Sequence, residues 1–223
     1  MDACLAGRSE DLARAADRLK LVSAHDALLL LRNCLSASKL LYTLRSARCA
    51  GHELLQSFDD LQRSALGRIC NVSLTDDQWL QASLPVRMGG LGIRRVSSLA
   101  LSAFLASAAG TRQLQDHILS GTGVTSDVDF DQSLASRIQS APQGAAAGKQ
   151  KAWDTPVIMA EFGDLMTRYT EPRHRARLLA AAAPHSGDWL HAILIAACGL
   201  LLNDDAVRVA VALRLGCTVC ETA

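Results

Sequence analysis

The segment from Thr75 to Gly110, TDDQWLQASLPVRMGGLGIRRVSSLALSAFLASAAG, constrains the fold more than any other part of the chain. Thr75 and Gln78 stand at capping-box spacing, in which a threonine hydroxyl takes an N3 amide and the glutamine side chain answers the cap residue's own amide. Asp76 and Asp77 then fall in a first helical turn, where the helix dipole favours carboxylates, and Trp79 and Leu80 point inward. Adjacent aspartates invite a metal-site reading, but consecutive helical residues diverge by about 100° and no third carboxylate lies nearby in sequence. Pro85 ends this helix. LPVRM and LGIRR, on either side of Gly89 and Gly90, then read as two short strands of a tight hairpin over 84–95, with Gly92 at a bulge or close approach. Ser97 or Ser98 caps the small-residue helix that follows, and Gly110 ends it. These glycines do not form a nucleotide-binding fingerprint, because the spacing differs and no βαβ unit surrounds them.

Composition settles the class of structure around this segment. The chain has 223 residues, 49% of them hydrophobic and only 4% aromatic. Strands favour aromatic and β-branched residues, whereas this chain is rich in Ala and Leu, so a mainly α fold is expected. A formal charge of +1 gives no global attraction for nucleic acid, and any such role must rest on local patches. Cys4, Cys34, Cys49, Cys70, Cys198, Cys217 and Cys220 make an odd total, and MDACLAGRSED carries no cleavable leader. The expectation is reduced thiols in an intracellular compartment, nuclear or cytoplasmic. The longest apolar run, Leu190 to Leu202, is shorter than the ~20 residues of a bilayer span. It reads as a buried core helix, and no membrane partner is expected.

Before the central segment, Ser9 reads as the cap of a first helix, and Ser23 with Asp26 as a capping box opening a second that runs to about Arg45. On that second helix Leu28, Leu31, Leu35 and Tyr42 share one face, and Arg32, Ser36, Lys39 and Thr43 form a stripe beside it. Cations alternating with hydroxyls at one register suit phosphate oxygens; an ordinary solvated face is the competing reading. A third helix, His52 to Cys70, completes a small bundle. Arg87, Arg94 and Arg95 crowd the hairpin and form a second basic patch.

After the central segment the text runs through a short helix, Thr111 to Leu119, and a helix within 129–140 to APQGAAAGKQ, a Gly/Ala/Pro-rich linker. Two helices follow, Thr155–Thr170 and Pro172–Ala183, with Pro near a helix start, where it is tolerated. Arg168, Arg173, His174, Arg175 and Arg177 gather at their junction. Cations there oppose the helix dipole, which favours a solvated or acid-paired cluster over a nucleic-acid contact. His185, Ser186 and Asp188 share one turn, whereas a working triad converges from separated segments; Asp188 reads instead as a cap before Trp189. Asn203, Asp204 and Asp205 open the last helix, with Val207, Ala210 and Val211 inside. Cys217 and Cys220 are half of a zinc site, and zinc wants four N or S ligands.

Three blocks, HDALLLLRNCLSASKLLYTLR, DDQWLQASLPVRMGGLGIRRVSSLALSAFLASAA and PHSGDWLHAILIAACGLLLNDDAVRVAVALRLGCTVC, together resemble the C-terminal part of non-LTR retrotransposon reverse transcriptases of the restriction-like-endonuclease type. The resemblance spans most of the chain outside 120–150. It implies a helical thumb bundle over 1–120 with one short β-hairpin at 84–95, and a variable linker over 121–150. A second small helical domain over 151–216 and the truncated start of a zinc motif at 217–223 would follow. Ser38 stands where relatives tend to carry Pro, so the thumb helix is expected to run without a kink. The departures bear on activity. The family's Tyr/Phe-x-Asp-Asp palm hairpin is missing, and the pairs Asp59-Asp60, Asp76-Asp77 and Asp204-Asp205 lie in helical text. No polymerase or nuclease activity is expected, and no cofactor, with zinc bound only if ligands beyond Cys217 and Cys220 are supplied.

What the resemblance leaves is a noncatalytic fragment that grips an RNA or RNA/DNA duplex by its backbone. Arg32, Lys39, Arg45, Arg87, Arg94 and Arg95 would be its phosphate contacts. The alternative is a standalone helical interaction module, or a retroelement relic that binds no nucleic acid. In either case a surface that faces the palm in the family would be exposed here and open to self-association.

Overall fold

Leucine and alanine at helical spacing dictate an all-helical packing problem, and the computed structural model, which describes residues 1–120, 128–136, 141–192 and 194–218, shows how it is solved. The helices are α1 (Asp2–Arg18), α2 (Ala24–Leu30), α3 (Leu41–Ser46), α4 (Glu53–Cys70), α5 (Asp76–Ser83), α6 (Val96–Leu119), α7 (Val128–Ala135), α8 (Gln150–Arg168), α9 (Pro172–Ala182) and α10 (Asp204–Leu215). The fold is mainly α, and no strand occurs among the described residues. On α4, Leu55, Phe58, Leu66 and Ile69 recur at one-face spacing, and they meet Leu5 and Leu12 of α1, Leu28 of α2 and Leu99 of α6. Val207, Val211 and Leu215 of α10 belong to this same core. A second cluster joins Leu80 and Leu84 at α5 to Ile158 and Leu165 of α8 and Leu178 of α9. A third sets Leu105 and Ala106 of α6 against Phe130 and Trp153.

The expected β-hairpin at 84–95 is not formed. Val86–Met88 make a 3-10 turn after Pro85, and Gly89 sits at φ +84°. The returning chain pairs with the end of α5: the Leu91 amide donates to the Ala82 carbonyl at 3.0 Å and the Gly92 amide to the Leu84 carbonyl at 2.9 Å. The last carbonyls of a helix have no intrahelical partner, and here they recruit the amides that a second strand would have used. Gly90 permits the approach, since a Cβ there would stand 2.0 Å from the Leu84 carbonyl oxygen. Leu91 and Ile93 drop from this loop into the core.

The helix expected from Ser23 to Arg45 is broken. Ser23 does cap α2, accepting from the Asp26 amide, but α2 ends at Leu30 and passes into a wide π-helical turn, Leu31–Leu35. Ser36 then leaves helical geometry at φ −83°, ψ −141°, its hydroxyl donating to the Arg32 carbonyl at 2.6 Å. A serine hydroxyl that takes an i−4 carbonyl competes with the helix ladder, and here the ladder gives way. The kink therefore exists without a proline at position 38. Beyond it the register is lost: Ser36 is buried and Tyr42 is 83% exposed.

Three smaller expectations also change. Ser9 lies inside α1 and donates to the Leu5 carbonyl rather than capping a helix. α6 runs through Gly110 to Leu119. Within the apolar run 190–202 only short 3-10 turns form among the described residues, and Leu200 and Leu201 face solvent. α6 also lacks a cap from its own serines. The Asp59 carboxylate of α4, fully buried, accepts from the Val96 amide at 2.7 Å, from the Ser97 amide at 3.1 Å and from the Ser97 hydroxyl. An acid from another helix thus satisfies the first-turn donors of α6. Burial holds its pKa above the usual carboxylate range, against the opposing pull of those donors.

Candidate nucleic-acid interface

The loop after α5 is placed by two buried polar side chains. Arg214 of α10 donates from Nε to the Gly90 carbonyl at 3.0 Å, from Nη1 to the Ser186 carbonyl at 3.1 Å and from Nη2 to the Val86 carbonyl at 2.8 Å. Gln81 of α5 donates to the Gly89 carbonyl at 3.1 Å and the Arg214 carbonyl at 2.8 Å, and its oxygen accepts from the Tyr169 hydroxyl and from Arg177, each at 3.1 Å. A buried polar group left unpaired costs about 1–3 kcal/mol, so this mesh fixes one loop geometry against alternatives. Gly216, which ends α10 at φ +69°, leaves room for the Arg177 guanidinium, which would lie 1.0 Å from a Cβ at that position.

Held in this way, the loop forms one wall of a cleft of about 520 Å³ whose other walls come from the Leu31–Leu35 turn and from α8. Arg32, Arg87 and Arg94 all line it. The half-buried Arg32 donates from Nε to Asn33 Oδ1 at 3.1 Å and meets no carboxylate among the described residues. Burial without a counter-charge moves its pKa down from the ordinary guanidinium value. Arg87 is exposed at the cleft, and no ion pair holds it among the described residues.

The opposite wall is neutralised. Arg94 Nη2 lies 2.7 Å from Asp154 and Nη1 lies 3.7 Å from Glu161, and each of these three side chains is no more than 16% exposed. Arg95 pairs with Glu161 as well, and the Ser98 hydroxyl donates to the same carboxylate at 2.7 Å. Asp154 and Glu161 are two helical turns apart on α8, hence on one face. Burial raises the Asp154 pKa, while the Arg94 guanidinium beside it pulls the other way. Arg45 lies just outside the cleft and donates to Gln150 Oε1 at 2.9 and 3.2 Å, Gln150 being itself a lining residue. Lys39 lines a different cleft, with Arg14 and Arg18 of α1.

No protein-family model, curated protein or solved structure matches this chain.

The six cations read from sequence thus fall into three groups: Arg32, Arg87 and Arg45 on the cleft or beside it without a carboxylate, Arg94 and Arg95 in ion pairs with α8, and Lys39 apart. Sequence reasoning passed over Asn33, Gln150 and His191, all of which line the cleft. None belongs to a periodic pattern, and only the fold brings them together. The Arg168–Arg177 cluster is largely engaged. Arg168 pairs with Asp164 at 2.8 Å and Asp77 at 3.2 Å, Arg173 with Glu171 at 2.6 Å, Arg175 donates to the Met166 carbonyl, and Arg177 lies 5.3 Å over the Tyr169 ring.

Asp76 and Asp77 occupy the first turn of α5 behind a complete Thr75–Gln78 capping box, and Asp76 pairs with Arg63 at 2.8 Å. His185 and Asp188 are 2.9 Å apart, but the Ser186 hydroxyl donates to the Ala181 carbonyl at 2.6 Å, so the three groups form no relay. Cys217 is half-buried behind α10, and burial raises its pKa. Cys220 lies outside the described residues. Among the described residues no group of three or more His, Cys, Asp or Glu is placed to hold a metal ion, and no helix is long and apolar enough to cross a membrane.

Proposed function

We propose that this chain is a noncatalytic retroelement-derived protein whose thumb-like helices grip an RNA or RNA/DNA duplex by its phosphate backbone. The observation that supports this reading is the convergence of Arg32 and Arg87, from segments more than fifty residues apart, on one cleft with no carboxylate holding either among the described residues. Arg45 extends the same surface, and Lys39 adds a cation on the far side of the Ser36 kink. Arg94 and Arg95 act as struts to α8 in this scheme, not as phosphate contacts. Binding by guanidinium and ammonium groups to phosphates is sequence-tolerant and salt-dependent. A fluorescence-anisotropy titration with a labelled RNA/DNA hybrid at low salt tests it. R32E combined with R87E should weaken binding similarly across unrelated sequences and lower the salt slope by about 2. Unchanged affinity in that variant would sink the assignment.

A second reading, a helical interaction module that binds no nucleic acid, is favoured by one observation. On the distal half of α6, Leu114 and Ile118 are 60% and 66% exposed, one turn apart on the same face. No shift of the hybrid at micromolar protein, together with concentration-dependent sedimentation, would select this reading.

A further inference from the structure

The cleft is concave and small, and a volume of about 520 Å³ falls in the range of pockets that enclose a drug-sized molecule. A duplex backbone runs along a surface, whereas an open cleft of this volume also has room for a single group. Its lining is chemically divided. Pro85, Val86, Leu99 and Ile158 give it an apolar part, and Arg32, Arg87 and Arg94 give it charge.

The charge is not balanced from within. Among the described residues Asp154 is the only carboxylate lining the cleft, and it is already 2.7 Å from Arg94. Counting the arginines and this carboxylate alone, three against one leave the described lining at a formal +2. A guanidinium offers five N–H donors in a planar fork, and Arg32 uses its Nε on Asn33, with no hydrogen bond from either Nη among the described residues. The Arg32 stem passes near Gly92, where a Cβ would stand at ordinary contact distance, 3.4 Å, from Arg32 Cδ, and the Nε bond to Asn33 leaves both Nη groups for an anion. A half-buried guanidinium with an open bidentate face, a second free arginine beside it and an apolar floor are the features that recognise a phosphate carried on a flat organic body.

We propose that this cleft binds a phosphomonoester, either a free nucleoside monophosphate or the terminal phosphate of a nucleic-acid strand, with Arg32 as the bidentate ligand and Arg87 as the second cation. Such a group approaches two negative charges at neutral pH, which matches the cleft. The inference goes beyond duplex gripping, since the ligand is one terminal phosphate and not a run of phosphodiesters.

Isothermal titration of the full chain at low salt with AMP, with adenosine, and with a short single strand bearing either a 5′-phosphate or a 5′-hydroxyl tests it. AMP or the phosphorylated strand should bind with sub-millimolar affinity, and adenosine and the 5′-hydroxyl strand at least about tenfold more weakly. R32Q should weaken the phosphate-bearing ligand by about tenfold or more, and R32K by nearly as much, because lysine lacks the fork. K20Q, which removes an equal charge at a residue that pairs with Asp17 and does not line the cleft, should leave binding unchanged. Preference for AMP alone assigns a free nucleotide, and preference for the phosphorylated strand assigns a strand end; both support the site. If R32Q melts early by circular dichroism, R87Q at the exposed rim and the phosphate-against-hydroxyl comparison decide the matter. Equal binding of phosphorylated and hydroxyl ligands, or no binding of either at millimolar concentration, overturns the proposal. A hybrid with 5′-hydroxyl ends that binds tightly would leave the duplex reading standing alone, and phosphate binding without hybrid binding would do the reverse.

Discussion

Arg94 and Arg32 line the same cleft, yet one is clamped between two carboxylates of α8 and the other faces the space with a single amide partner. Both read from sequence as members of basic patches, Arg32 with Lys39 along one expected helix face and Arg94 beside Arg95. What separates them is the helix that packs opposite. α8 brings Asp154 and Glu161 against the 94–95 side, whereas among the described residues the one side-chain partner of the Arg32 guanidinium is Asn33, its neighbour in the Leu31–Leu35 turn. An arginine's role is decided by counter-charges remote in sequence, and the cleft shows both outcomes side by side.

The most severe way to break this contrast is to remove one partner of the clamped wall. R94A leaves the largely buried Asp154 carboxylate unpaired and should cost about 3 kcal/mol in a denaturant titration, whereas replacing both Arg94 and Asp154 with apolar residues should cost clearly less. If the single and double variants unfold together, the pair is not the strut described here. Next in size is D59A, which strips α6 of its remote cap beside Arg95 and leaves buried donors unmet; a loss of about 2 kcal/mol is expected, and D59N should recover part of it. A melting point within one degree of the parent would refute the cap.

A third effect appears through pH. His25 is buried, accepts the Leu202 amide at Nδ1 at 3.1 Å, and has its pKa lowered by burial. A depressed folded value means that the stability it contributes is present above the unfolded pKa near 6.5 and is lost as pH falls through the folded value. The melting-temperature advantage of the parent over H25F should therefore shrink by a few degrees on acidification below about pH 6.5, and a pH-independent difference would contradict it. Smallest of all in stability is R87A, within about 0.5 kcal/mol as for most exposed sites. That variant should nonetheless weaken hybrid binding and reduce the salt slope by about 1, which sharpens the contrast between a strut and a free cation.

Local rules made part of this molecule legible. The capping box of α5, the Asn203 cap of α10, which accepts the Ala206 amide at 2.8 Å, and the proline at the start of α9 each depend on residues within one turn. The hairpin failed because the amides of Leu91 and Gly92 had a better offer from the end of α5, which no pairwise reading of LPVRM against LGIRR includes. The stripe through Arg32 and Lys39 failed at Ser36, where one hydroxyl outcompeted a ladder bond. Ser97 and Ser98 were plausible caps, but a carboxylate 38 residues upstream, Asp59, holds the Ser97 amide. The charged residues were visible as candidates, while their partners were not, since the ion pairs between the segment just before α6 and α8 join positions 60 residues and more apart.

Arg214 has a consequence for how the molecule comes into being. Its guanidinium holds three carbonyls of the segments at 86, 90 and 186, so the loop wall cannot be clamped until position 214 has been synthesised. During translation the arginines at 32 and 87 would be present without a cleft between them. A product terminated before position 214 would carry Arg32 and Arg87 and yet lack the guanidinium that holds the loop wall between them.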